Sequence, residues 1–157
     1  LVLNRGAEKT VGEMLLEDLP ARIEEQDLWV GGPMAIQRDP QLYAFWPPSS
    51  LNYLHSDDFL PDANVLPNLK LSHTLEGLLD LGESFSGTQK VRVFNGYSGW
   101  GPGQLEAEME RKAWIRHPAN LNHIFAVTPK ELWRAIMIEM GGKHRLMADS
   151  PDDLSWN

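Results

Sequence analysis

The 157-residue sequence contains no cysteine. That excludes disulfides, thiolate zinc sites and cysteine nucleophiles, and it fits a reducing cytoplasm. No apolar run approaches the roughly 20 residues that a membrane-spanning helix needs, so no membrane association is expected. No secretory signal pattern is visible, and the opening Leu1-Val2-Leu3-Asn4 reads as the end of a strand already under way. Positive charge is scarce: 14 Lys and Arg stand against 22 Asp and Glu, a net charge of −8. Nucleic-acid affinity rests mainly on cations that contact phosphates, so an acidic domain is repelled at long range and nucleic acid is a disfavoured partner. Basic residues do gather at Arg111, Lys112, Arg116 and His117, then at Lys143, His144 and Arg145. Each group lies close to acidic residues and reads as a mixed, solvated surface.

What is present is the material of one globular domain over residues 1–157. A chain of this size buries roughly 70% of its unfolded surface, enough for a core without staples. Six tryptophans ask for places where large rings can pack. The pattern predicts a helix opened by a Thr10–Glu13 capping box, carrying Met14, Leu15 and Leu19 and stopped at Pro20. Strands follow at Leu28–Val30 and Leu42–Trp46, and 49–67 reads mostly as loop. Further strands are expected around Leu69 and Leu71, at Lys90–Phe94 and at Ile124–Val127, with extended chain at Trp114–Arg116. Helices are expected at Thr74–Leu81, ended by Gly82, and from Gln104 to about Ala113. The best-specified helix starts at Thr128-Pro129 with a second capping box to Glu131. It carries a stripe of Leu132, Trp133, Ile136, Met137 and Met140 that should face the sheet, and Gly141-Gly142 ends it. The acidic tail from Lys143 has little periodicity. Strands and helices without regular alternation imply an α+β fold with a curved, mostly antiparallel or mixed sheet.

The segment between the Val91–Phe94 strand and the Gln104 helix packs four glycines into residues 96–103. A strand, a glycine loop and a helix start can aim backbone N–H groups at an anion. The phosphate-loop version needs Lys and Ser or Thr after its last glycine, where this chain has Gln104-Leu105. The dinucleotide fingerprint lacks its third glycine and its acidic partner. A nucleophile elbow around Ser98 fails because Trp100 stands where glycine is required. Structurally, the glycines make a tight turn with Gly99 at positive φ, letting Trp100 fold back over the core. Gln104 and Glu108 share one helical face and form either a polar cluster at a cleft mouth or a solvated surface. Gly31-Gly32-Pro33 places two flexible residues before a rigid one, chiefly as a turn. For metals, His55-Ser56-Asp57-Asp58 and His73 with Glu76 match no ligand spacing, and His117 and His123 read as ordinary surface or capping histidines. No metal, no cofactor and no catalytic residue is therefore expected.

Leu1–Arg5, Trp29-Val30-Gly31-Gly32-Pro33, the run Asn95–Glu106 with Glu108 and Trp114, and Leu132-Trp133 with Met140-Gly141-Gly142 occur in one order along nearly the whole chain. In this it resembles the bacterial AlgH/YqgE family. The resemblance implies an α+β fold on a curved, barrel-like mixed sheet with helices packed around it, in a cytoplasmic bacterial protein. Members are often labelled transcriptional regulators, and no catalytic residues transfer. Gly31, Gly32, Pro33, Gly96, Gly99, Trp100, Gly103, Gln104 and Glu108 belong to the recurring motifs and are the candidate binding positions. Family members carry about forty residues ahead of the Leu-Val-Leu-Asn segment, enough for two strands and a turn. Either this is part of a longer protein or its sheet closes differently, with an exposed edge. The expected function is a non-enzymatic binding or regulatory module acting on a protein or small-molecule partner. The alternatives are a regulator that contacts DNA directly and an enzyme with an anion site at Gly96–Gly103.

Overall fold

A computed structural model of the chain describes residues 1–15, 18–34, 51–56, 63–83 and 88–148. Strands β1 (Gly6–Thr10), β2 (Asp27–Val30), β3 (Leu51–Ser56), β4 (Leu69–Ser72) and β5 (Lys90–Asn95) form one mixed sheet in the order β1-β2-β5-β3-β4. β5 is central, parallel to β2 through Leu28↔Val93 and Val30↔Asn95, and antiparallel to β3 from Leu51↔Asn95 to Ser56↔Lys90.

The alternation along β5 explains why both of its faces are covered. Val91 and Val93 join Leu28, Leu51 and Tyr53 in one core, closed over by Ile23 of α1 (Ala21–Glu24) and by Leu78 and Leu81 of α2 (Leu75–Glu83). Phe94 points the other way, into a second core with Leu54, Leu69 and Ile124. Fully burying one such side chain is worth about 1.5–3 kcal/mol, so the paired cores carry the fold. Tyr53 is buried because its hydroxyl has a partner, donating to the Thr74 carbonyl at 3.2 Å, and burial raises its pKa. Arg92, on the Phe94 side, lays its guanidinium 4.4 Å from the Trp29 ring centroid and donates to the Leu3 carbonyl.

The α+β class and the mixed sheet hold; the barrel does not. Among the described residues β1 pairs only with β2 and β4 only with β3, leaving an open sheet with two edges. The β1 edge is irregular: Gly6 faces Trp29 and Thr10 faces Asp27, so five residues span three, with Glu8 at φ 58°. A bulge of this kind twists an edge away from further pairing.

Several local expectations give way to tertiary partners. The Thr10–Glu13 capping box forms, with Thr10 N–H on Glu13 at 2.8 Å and Glu13 N–H on Thr10 Oγ1 at 3.3 Å. It opens only a turn, because the Val11 and Gly12 amides donate instead to the Gln26 and Glu24 carbonyls. The helix of this region starts after Pro20, not before it. The presumed loop 49–67 contains β3, whose His55 and Ser56 look polar but are buried, with His55 Nε2 at 3.3 Å from Ser72 Oγ. The opening residues do not end a strand: β1 starts at Gly6. Leu42–Trp46 lies outside the described residues.

Beyond the sheet come α3 (Gln104–Glu110), α4 (Leu121–Phe125), α5 (Pro129–Met140) and α6 (Gly142–Ala148). Ile124 was expected in a strand. It lies in α4 because Asn120, in extended geometry, caps the helix through its side chain on the His123 N–H at 2.9 Å. Trp114–Arg116 joins no strand, and Gly82 lies inside α2 rather than after it. The α5 capping box is not made, as Thr128 has no side-chain cap bond. The α5 stripe is narrower than expected: Leu132 and Met137 are buried, but Trp133 is 48% exposed. Neither buried residue belongs to the two sheet cores, because α5 packs on α6, formed where an aperiodic tail was expected.

Candidate functional site

Parallel pairing of β2 with β5 carries both glycine motifs to the same end of the sheet. Gly31 N–H donates to the Asn95 carbonyl at 2.8 Å, and Met34 and Tyr97 exchange backbone bonds at 2.9 and 3.3 Å. A Cβ on Gly31 would run into the Gly96 carbonyl, and one on Gly32 into the Tyr97 backbone. These glycines are there because two backbones touch, and exposed Pro33 follows them. Gly99, expected at positive φ, does not have it; Gly96 and Gly103 do, Gly103 at φ 74° as the residue that starts α3. A Cβ on Gly99 would only touch the Tyr97 ring at 3.4 Å.

Trp100, Gln104 and Glu108 do come together, around a partner that was not among the candidates. Glu108 Oε2 accepts from the indole N–H of Trp100 at 3.1 Å and from that of Trp114 at 2.7 Å, while Oε1 accepts from Gln104 at 3.0 Å. Gln104 Oε1 in turn accepts from the Gly101 N–H at 3.1 Å. The two indoles meet edge to face, 5.8 Å between centroids. Trp100 therefore does not fold over the core: it is 38% exposed and tied to α3. These polar groups spend their hydrogen bonds on one another, so the cluster is a staple from the glycine turn through α3 to Trp114.

The staple has a pH signature. Hydrogen bonds from Trp114, then Gln104, then Trp100 hold the Glu108 carboxyl below its ordinary 4.5. A folded-state value below the unfolded one gives stability that is complete above the ordinary value and lost as pH falls through the folded one. Acidification below 4.5 should release the indoles and shift tryptophan emission, and Glu108→Gln should remove that transition. An unchanged acid profile in the variant would show that Glu108 does not hold the two rings.

Trp114 also opens onto a second feature. An open groove of about 710 Å³ runs between 112–118 and 140–147, floored by Trp114, Ile115, Met140 and Met147 and flanked by Lys112, Arg116, Lys143 and His144. The basic groups that read as separate solvated patches thus line one groove. Trp114, Ile115 and Met147 are each more than two-fifths exposed. Lys112 ends α3 at φ 58°, with Ala113 N–H on the Glu108 carbonyl and Lys112 N–H on that of Met109. Glycine normally fills this helix-ending position.

Sequence reasoning also missed a cluster beside the groove. His117 Nε2 lies 3.5 Å from Glu139 Oε1 and His123 Nε2 lies 2.7 Å from Oε2, with the two rings 5.4 Å apart. The three residues come from the segment before α4, from α4 and from α5, and no spacing rule joins them. The only local signal was the Asn120 cap that turns His123 inward. His55 and His73 enter no comparable group among the described residues.

An open mixed sheet with helices on both faces, its central parallel strands closed by paired glycine motifs, defines a particular α+β class. The chain matches the AlgH-like family model over residues 1–145 and belongs to that family. It is 30% identical to the UPF0301 protein of Cytophaga hutchinsonii, over 97% of this chain and 78% of the relative. It is also 30% identical to that of Thermobifida fusca, over 100% and 78%. The solution structure of AlgH from Pseudomonas aeruginosa is similar with a TM-score of 0.67 at 26% identity, covering 96% of this chain and 76% of that one. The crystal structure of a Corynebacterium diphtheriae protein shares the fold, with a TM-score of 0.65 at 21% identity over 94% and 73%. No helix among the described residues is long and apolar enough to cross a membrane.

Proposed function

We propose that the chain is a binding module rather than an enzyme, and that its groove takes an anionic, partly apolar segment of a partner protein. The carrying observation is convergence: Lys112, Arg116, Lys143 and His144 line one groove together with Trp114, Ile115 and Met147, in a chain of net charge −8. An exposed apolar strip rimmed by one sign of charge suits a ligand with the complementary pattern. Cations gathered on an acidic chain give the ligand an orientation as well as an attraction. Lys112 reaches the groove from the left-handed position that ends α3, where glycine is the commoner residue but would bring no charge.

The test is anisotropy with labelled peptides, one alternating Leu and Glu, the other Leu and Lys. The acidic peptide should bind and weaken as salt rises, since exposed charges are screened within about 10 Å at 0.1 M salt. Lys143→Glu should reduce its affinity by roughly tenfold, equivalent to about 1.4 kcal/mol. Lys112→Gly should also bind less well while folding more stably by about 1 kcal/mol, as relief of a left-handed residue provides. Equal binding of both peptides would refute the reading. Duplex DNA should not be retained at physiological salt, and a salt-sensitive, sequence-specific complex would favour a direct DNA-binding role instead.

A further inference from the structure

We propose that His117, His123 and Glu139 bind a divalent transition-metal ion, with zinc the first candidate. Their donor atoms all lie within 4.8 Å of one another. A tetrahedral ion with bonds of about 2.0–2.1 Å to nitrogen and oxygen requires ligand atoms roughly 3.3 Å apart. The two imidazoles lie 2.7 and 3.5 Å from the Glu139 carboxylate, each against a different oxygen, and no donor pair exceeds 4.8 Å, so side-chain rotation without backbone movement would gather the three around an ion. Two imidazoles with one carboxylate suit zinc, cobalt or nickel, whereas magnesium and calcium prefer all-oxygen sites.

The framework holds the donors in place. Asn120 caps α4 and fixes the turn that buries His123, whose Nε2 faces the carboxylate. Glu139 stands near the C-terminal end of α5, where a cation is favoured by the helix dipole. Three protein ligands leave one tetrahedral position for water or a ligand oxygen. His123 Nδ1 is buried without a hydrogen-bond partner. The site thus lacks the outer contact that strengthens a ligating imidazole, which places its affinity about 10–100-fold below that of a fully supported site. Of the three donors only His117 also lines the groove, so His123 and Glu139 test the metal apart from any peptide there.

The experiment is calorimetric titration of the full chain, without a histidine tag and freed of chelator, with Zn²⁺, alongside Co²⁺ absorption. One ion per chain is expected, with a rise in melting temperature and the visible bands of tetrahedral cobalt. His123→Ala risks the fold, so the test rests on His117→Ala and Glu139→Gln, at partly exposed positions. Each should weaken binding at least about tenfold, the scale at which even outer contacts of a metal act. His73→Ala, at an exposed histidine outside the cluster and the groove, should leave it unchanged. Absence of heat and colour, parent-level affinity in the His117 or Glu139 variant, or loss of binding in His73→Ala would each overturn the proposal.

Discussion

Gly32→Ala should destabilise the fold by about 3 kcal/mol or more, read as a fall in the denaturation midpoint with an unchanged slope. Two costs add at this residue. Its φ of 153° is one that side chains rarely adopt, and a Cβ there would overlap the Tyr97 carbonyl and the Ser98 nitrogen. Neither obstacle is the end of a flexible side chain, so relief requires β2 and β5 to part at the end they share. Gly99→Ala, in the same glycine-rich run as Tyr97, should be nearly neutral, because its nearest neighbour is a ring edge at ordinary contact distance. If the two variants melt together, the glycine motifs do not touch as described.

The second large effect is in the core. Phe94 is fully buried between β5 and α4, and Phe94→Ala should cost about 3–5 kcal/mol. Trp133, the larger ring on the best-specified helix, should behave oppositely. It is 48% exposed, so Trp133→Ala should stay within about 0.5 kcal/mol of the parent. A melting experiment on the pair distinguishes a core built on the sheet from one built on α5. A Trp133 variant that unfolds would place α5 against the sheet after all.

The pair also shows what the residues disclosed in advance and what they did not. Lys90–Phe94 was legible because β-branched residues alternate on it, and its two faces sort as the alternation demands. β3 was hidden because His55 and Ser56 resemble loop residues, and what lies against them is another strand: Ser72 Oγ beside His55, and Leu69 paired with Ser56. α4 was hidden because a single Asn cap outweighs four β-compatible residues. Trp133 was misplaced because periodicity selects a helix face without saying what covers it. The glycine and tryptophan motifs hold structural contacts that their sequence did not specify. Gly31 and Gly32 serve backbone contact, and Gln104 and Glu108 satisfy each other and two indoles. The groove and the histidine pair needed three dimensions, since their parts lie on separate segments that local pattern cannot align.

The order of the strands bears on how the chain is made. β1 with β2, and β3 with β4, are antiparallel pairs that can form as each emerges, yet neither ribbon pairs with the other. Both wait for β5, which pairs with β2 some sixty positions upstream, as Trp29↔Phe94 shows. A nascent chain that ends before Lys90 therefore leaves β2 and β3 without the strand that joins them, and strand pairing over such separations is slow. Ribosome-bound fragments ending before Lys90 should recruit chaperones or aggregate, and those extending past Asn95 should become protease-resistant in a single step.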